Sequence, residues 1–223
     1  MPWRLFGAAG QLWAEDAPVT QRFTRAAPDP CAYPVLGNFV KTLFRNCPGL
    51  RGFGVHRPRM KPGQALVWAD GGGNTPGADF ATQEARIALP ARAGGRALVQ
   101  VNHYSLRSAE EFLLKGDRGL PNRKGKAIDA AYWLERNLNS VEETSIACQM
   151  KASAEERARL MALPGVADLH ARAVAWHRAR FRAMMADMET WKLFGRLMMA
   201  PDSVLPAPEA LARYMTLLGR TDG

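Results

Sequence analysis

The chain has little of what would place it in several familiar classes. Three cysteines in 223 residues, Cys31, Cys47 and Cys148, are an odd number, widely spaced, with no CxxC pair. That pattern excludes a disulfide framework and offers no zinc-ligand spacing. No apolar run approaches the roughly 18 residues that a bilayer span requires, and the N-terminus lacks a charged start followed by a long apolar stretch. A reducing, cytoplasmic setting is therefore expected, with peripheral contact to a membrane surface left open. No internal repeat, zinc-finger, helix-turn-helix or RNP signature occurs.

What is present is ordinary globular material with a basic bias. Hydrophobic residues make up 47% and charged residues 23%, enough to bury a core. A net charge of +9 favours an anionic partner: nucleic acid, an anionic membrane or a phosphate-bearing small molecule.

Short strand candidates alternate with Pro- and Gly-rich turns through the first half: "PVTQRFT" at 18–24, "NFVKTLF" at 38–44, "QALVWAD" at 64–70 and "ALVQVNHY" at 97–104. Residues 70–80, "DGGGNTPGADF", read as a mobile loop. From Ser108 the character becomes helical. Ser108 and Glu111 have the spacing of a capping box, which predicts a helix from about 109 ending near 116–119. Further helices are predicted at 126–138, 153–163 and 166–199. The last carries Val166, Leu169, Ala173, Phe181, Met184, Met188, Trp191 and Met198 on one face. His177 lies on the same stripe and reads as a core or boundary histidine. The methionines at 184, 185, 188, 198 and 199 read as packing, with a partner or membrane contact open.

The stretch "VNHYSLRSAEEFLLKGDRG" at 101–119 carries the most chemistry. An apolar strand delivers Asn102, His103 and Tyr104 to its C-terminal end, and a helix begins a few residues later. Such junctions bind anions in α/β folds, because free N–H groups and the helix dipole point at the crevice. Arg107 adds a cation at the mouth, Lys115 and Arg118 share a helical face, and Glu111 is spaced to pair with Lys115. The alternative is a capped surface helix over a buried histidine. "WRLFGAAG" puts Gly7 and Gly10 in a tight loop after a strand, where backbone can approach a ligand closely. His56 among Arg57 and Arg59, and Lys41 with Arg45, read as solvated basic faces.

Taken in order, "WRLFGAAG", "VTQRFTRAAP", "FVKTLFR", "FGVHRP", "VNHYSLRSAEEFLLKGDRG" and "YWLERNLNSVEETSI" resemble bacterial glycosyltransferase family 2-like proteins related to glycosyltransferase family 92, over about residues 3–147. The resemblance implies an α/β fold: the C-terminal portion of a GT-A, or nucleotide-diphospho-sugar transferase, fold with a mixed sheet at 1–147, followed by a helical appendage at 148–223. It implies transfer of a sugar from a nucleotide-sugar donor to a glycan or other acceptor, with inversion and with a divalent cation, Mn or Mg. His103 matches the histidine that can complete the metal site. Trp3, Phe6, Gly7 and Gly10 match the loop bordering donor and acceptor, and Lys115 and Arg118 match basic positions that could face phosphates, with Arg107 added on charge.

The sequence departs from the pattern twice. The DxD segment of the family lies upstream of the Trp-Gly loop, so the expectation is a fragment lacking that nucleotide-binding half. Gln21 stands where the family commonly has a glutamate, and an amide cannot act as a general base. The acidic pair Glu15-Asp16 does not match the DxD, and the base is left unassigned, with Asp16 the least poor candidate. The competing class is a non-catalytic basic module for nucleic acid or another polyanion. Scattering of the cations among apolar strands argues against nucleic acid.

Overall fold

The computed structural model describes residues 1–120 and 127–219. The chain is mixed α/β. Its strands are β1 (Trp3–Leu5), β2 (Arg25–Ala26), β3 (Leu50–Phe53), β4 (Pro58–Met60), β5 (Val101–His103) and β6 (Val141–Glu142). Its helices are α1 (Val19–Arg22), α2 (Ala78–Thr82), α3 (Ala109–Arg118), α4 (Ala130–Leu134), α5 (Met150–Met161), α6 (Val166–Met184), α7 (Met188–Met199) and α8 (Pro208–Gly219). Two compact units are formed: Met1–Leu5, Ala27–His103 and Val204–Gly223 in the first, Phe6–Ala26 and Tyr104–Ser203 in the second.

The first unit is built on a parallel pair. β1 runs beside β5 with Trp3 opposite Val101 and Leu5 opposite His103. β3 and β4 form an antiparallel hairpin with an irregular register between Leu50 and Gly52. With so little regular sheet, two arginines satisfy main-chain carbonyls that a ladder would otherwise satisfy. Arg96 donates to the carbonyls of Trp3 and Gly37 at 2.9 and 3.1 Å. Arg57 is buried and donates to those of Phe80, Gln83 and Arg86 at 2.7, 3.0 and 2.9 Å. The basic face expected around Arg57 is thus corrected: its guanidinium is a structural donor, lying over the rings of Trp68 and Phe80.

Two strand expectations fail in this unit for local reasons. Residues 38–44 make only isolated bridges at Phe39 and Val40, and 64–70 form no strand. Residues 70–80 are a tied segment: the Asp70 carboxylate accepts from the N–H groups of Gly72 and Asn74, and α2 begins at Ala78. An Asp that bonds its own backbone two residues on closes the start of this glycine-rich segment, residues 70–74, into a turn.

The second unit is helical. Its core comprises Ala8, Leu106, Ala109, Phe112, Leu113, Trp133, Phe181, Phe194 and Leu197, so α3 and α4 pack with α6 and α7. Burying Phe112 and Trp133 contributes about 1.5–3 kcal/mol each. Trp133 Nε1 donates to the Ala200 carbonyl at 2.8 Å, which joins α4 to the end of α7. The small antiparallel pair of β2 with β6 adds Arg25 opposite Glu142.

α3 occupies the predicted span. Ser108 Oγ accepts from the Glu111 N–H, and the Glu111 carboxylate accepts from the Ser108 N–H at 3.2 Å, so the capping box is complete. The strand predicted at 18–24 is instead the short α1, led in by Pro18. The helix predicted at 126–138 is Ala130–Leu134, capped by Asp129, with Lys126 outside the described residues. The stretch 166–199 divides at Asp187, whose carboxylate accepts from the Thr190 N–H at 2.8 Å and starts α7. That break splits the apolar stripe: Met184 packs on the core while Leu169, Met188, Trp191, Met198 and Met199 are exposed.

Candidate functional site

In the first unit the side chains of Trp3 and His103 meet. Their strands are parallel neighbours, and the rings stack with centroids 3.8 Å apart. His56 and Phe39 complete an aromatic group around Trp3, at 5.5 Å each. His56 is fixed there by Nδ1 contacting the Val40 carbonyl at 2.9 Å. The solvated basic face expected around His56 is thus corrected: its place beside Trp3 depends on contacts far apart in the chain.

The other candidate residues lie in the second unit. Phe6 is buried with its ring against Tyr104, at 4.6 Å. The loop after it is held from below by two buried asparagines. Ala8 N–H donates to Asn137 Oδ1 at 2.8 Å, and Ala9 N–H donates to Asn139 Oδ1 at 2.9 Å. A Cβ on Gly7 would overlap the Asn139 amide, so the close approach that Gly7 permits is to Asn139. Gly10 is needed for conformation: its φ is +72°, with open space around it.

Lys115 and Arg118 do not act together. Lys115 Nζ donates to the Ser105 carbonyl at 2.6 Å and to the Tyr132 hydroxyl at 2.9 Å, and burial lowers its pKa from the usual lysine value. Arg118 is exposed in the last turn of α3. The expected Glu111–Lys115 pair is therefore corrected. Glu111 pairs with Arg22 at 3.0 Å and with Arg107 at 3.5 Å, because the carboxylate already turned back to the cap faces the start of α3.

A cavity of about 720 Å³ opens beside this ion-pair group. Residues 14–22 form one wall, the start of α3 another, and α5 and α6 the rest. It brings together Asp16, Gln21 and Arg107, which come from separate parts of the sequence. Arg107 holds a left-handed backbone, φ +61°, unusual for a residue other than Gly, Asn or Asp. Arg22 is fixed at the base by the Trp13 carbonyl at 3.2 Å and the Gln11 side chain at 3.2 Å. Glu110 is buried, and its carboxylate accepts from the Ala14 N–H at 2.9 Å, fixing the wall that carries Asp16.

Sequence reasoning missed the far wall. His170, His177 and Arg178 of α6 and Arg157 of α5 line the cavity. His177 is exposed rather than a core residue. The signal was available in part, since 170, 174, 177 and 178 are one helical face, but nothing local says that the face looks onto residues 14–22.

Comparison with family models, curated proteins and solved structures finds no match to this chain. Among the described residues no group of three or more His, Cys, Asp or Glu side chains could hold a metal ion, and no helix is long and apolar enough to cross a membrane.

Proposed function

We propose that the chain is a glycosyltransferase of GT-A type, moving a sugar from a nucleotide-sugar donor to a glycan or other acceptor by direct displacement with inversion. The observation that carries this reading is the convergence of Asp16, Gln21 and Arg107 on one cavity of about 720 Å³. These residues flank or belong to two of the ordered segments on which the resemblance rests. A cavity of this size suits a ligand of one or a few sugar rings.

The chemistry follows from the side chains. Attack by an acceptor hydroxyl on the anomeric carbon needs a base, and Asp16 is an exposed carboxylate on the cavity wall. Gln21 orients a hydroxyl by donating and accepting hydrogen bonds but takes no proton. The departing nucleoside diphosphate carries away the bonding electron pair, and Arg107 supplies positive charge for the phosphate oxygens. A divalent cation would supply further Lewis-acid stabilisation in such a reaction. The described residues do not fit one: His103 is stacked on Trp3, and no second and third donor join it.

The alternative, a basic module that grips nucleic acid, is weakened by where the charge goes. Arg22, Arg57 and Arg136 are buried, and the Arg96 side chain is nearly so; all four have protein partners. The test is release of nucleoside diphosphate from a panel of UDP-, GDP- and dTDP-sugars, with Mn or Mg and mixed glycan acceptors. Acceptor-dependent release is expected. Absence of release from every donor, together with salt-sensitive binding of a short RNA, would overturn the reading.

A further inference from the structure

The cavity in the second unit is two-faced in charge, and its uncommitted groups sort by wall. Glu110 and Glu111 are engaged, with the Ala14 N–H and with Arg22 and Arg107. Arg157 and Arg178 are exposed cations without a hydrogen-bond or ion-pair partner among the described residues, and His170 and His177 stand with them on the helical side. Glu15 and Asp16, likewise without side-chain partners among the described residues, lie on the opposite side.

A neutral sugar would leave Arg157 and Arg178 without a counter-charge, and a bare anion would leave Glu15 and Asp16 without a donor. A sugar bearing a phosphate or carboxylate satisfies both. Guanidinium groups bind such anions in a planar, bidentate manner, and imidazoles donate to them. Carboxylates accept hydrogen bonds from sugar hydroxyls.

We propose that this cavity binds an anionic sugar as acceptor. Its phosphate or carboxylate lies on Arg157, Arg178, His170 and His177, and its hydroxyls are directed at Glu15 and Asp16. The proposal rests on the transferase reading for the word acceptor, but the binding site stands or falls separately.

The experiment is calorimetric binding of glucose 6-phosphate, glucuronate, glucose and inorganic phosphate to the full chain. The wild type is compared with Arg178→Ala, Arg178→Lys, Arg157→Ala and Glu15→Gln. All four substitutions are at exposed positions, so thermal melting is expected to stay unchanged. At least one charged sugar is expected to bind about tenfold or more tighter than glucose, and to lose about tenfold in Arg178→Ala and in Arg157→Ala, with Arg178→Lys retaining part of the affinity. Preference for the phosphate or the uronate decides which anion the wall takes. Glu15→Gln is expected to weaken the sugar and leave inorganic phosphate unchanged.

Equal binding of glucose and the charged sugars would overturn the proposal. So would charged-sugar affinity that none of the arginine variants moves, or inorganic phosphate binding as tightly as the sugar phosphate. Transfer to neutral glycans with no anionic-sugar binding would remove this inference and leave the transferase reading intact. Specific anionic-sugar binding without diphosphate release from any donor would do the reverse.

Discussion

Arg22 and Glu111 form an ion pair at 3.0 Å with side chains only 4% and 18% exposed, joining the segment before β2 to the first turn of α3. Removing Glu111 leaves Arg22 shielded from water with only neutral partners, whereas removing Arg22 leaves Glu111 with Arg107 at 3.5 Å. Arg22→Ala is expected to cost about 1.5–3 kcal/mol, read as a lower urea midpoint. Glu111→Gln is expected to cost less, since an amide can still cap Ser108. A double-mutant cycle with Arg22 and Glu111 should give a coupling of at least about 1 kcal/mol, and additivity would mean that the pair is unimportant.

Gly7 and Gly10 answer to different constraints. Gly7→Ala places a methyl group into the Asn139 amide and is expected to cost about 1–3 kcal/mol. Gly10→Ala meets open space but strains a backbone at φ +72°, for about 1 kcal/mol. Adding Asn139→Gly to Gly7→Ala should cost less than the sum of the two single changes, measured by denaturation. Strict additivity would show that Asn139 moves aside freely.

The parts of this structure that were legible in the sequence are those decided within one turn of chain. The Ser108–Glu111 cap formed as read because both partners lie three residues apart and satisfy each other. The Asp187 cap was equally legible, with Thr190 three residues on, but a long apolar period obscured it. "PVTQRFT" has the β-branched residues of a strand, yet Arg22 turns inward to Glu111, 89 positions away in the numbering, and the segment closes into a turn of helix. Of the residues that line the cavity, Arg107 stood out by its charge beside a strand end, and Asp16 only as a carboxylate near Gln21. The α6 wall was not, because a helical face carries no information about what it faces.

Arg57 is expected to behave as a fastener rather than as a surface charge. Arg57→Gln removes donors from the carbonyls of Phe80, Gln83 and Arg86 and should destabilise the first unit by about 2–3 kcal/mol. Hydrogen exchange should quicken at residues 78–86. Unchanged protection there would return Arg57 to the solvated face that the sequence suggested.

Asp70 gives the first unit a defined acid sensitivity. Burial alone would raise its carboxyl, but the N–H groups of Asn74 and Gly72, the Asn74 side chain and Arg92 outweigh it and hold the pKa below the usual 3.8. A carboxylate with a lowered folded pKa stabilises above its unfolded value and loses that stabilisation as pH falls through the folded one. Wild-type stability is therefore expected to decline below about pH 4 more steeply than that of Asp70→Asn. At pH 7 the Asn variant should be the less stable of the two. Parallel curves from pH 7 to pH 2 in chemical denaturation would show that the turn does not depend on the charge.

The most direct test of the transferase account is turnover by Asp16→Asn with the best donor and acceptor from the panel. The amide keeps the shape of the wall and removes the base, so kcat is expected to fall about 10²–10⁴-fold with KM for the donor little changed. Wild-type kcat in Asp16→Asn would contradict the assignment of the cavity as the place where the acceptor is activated.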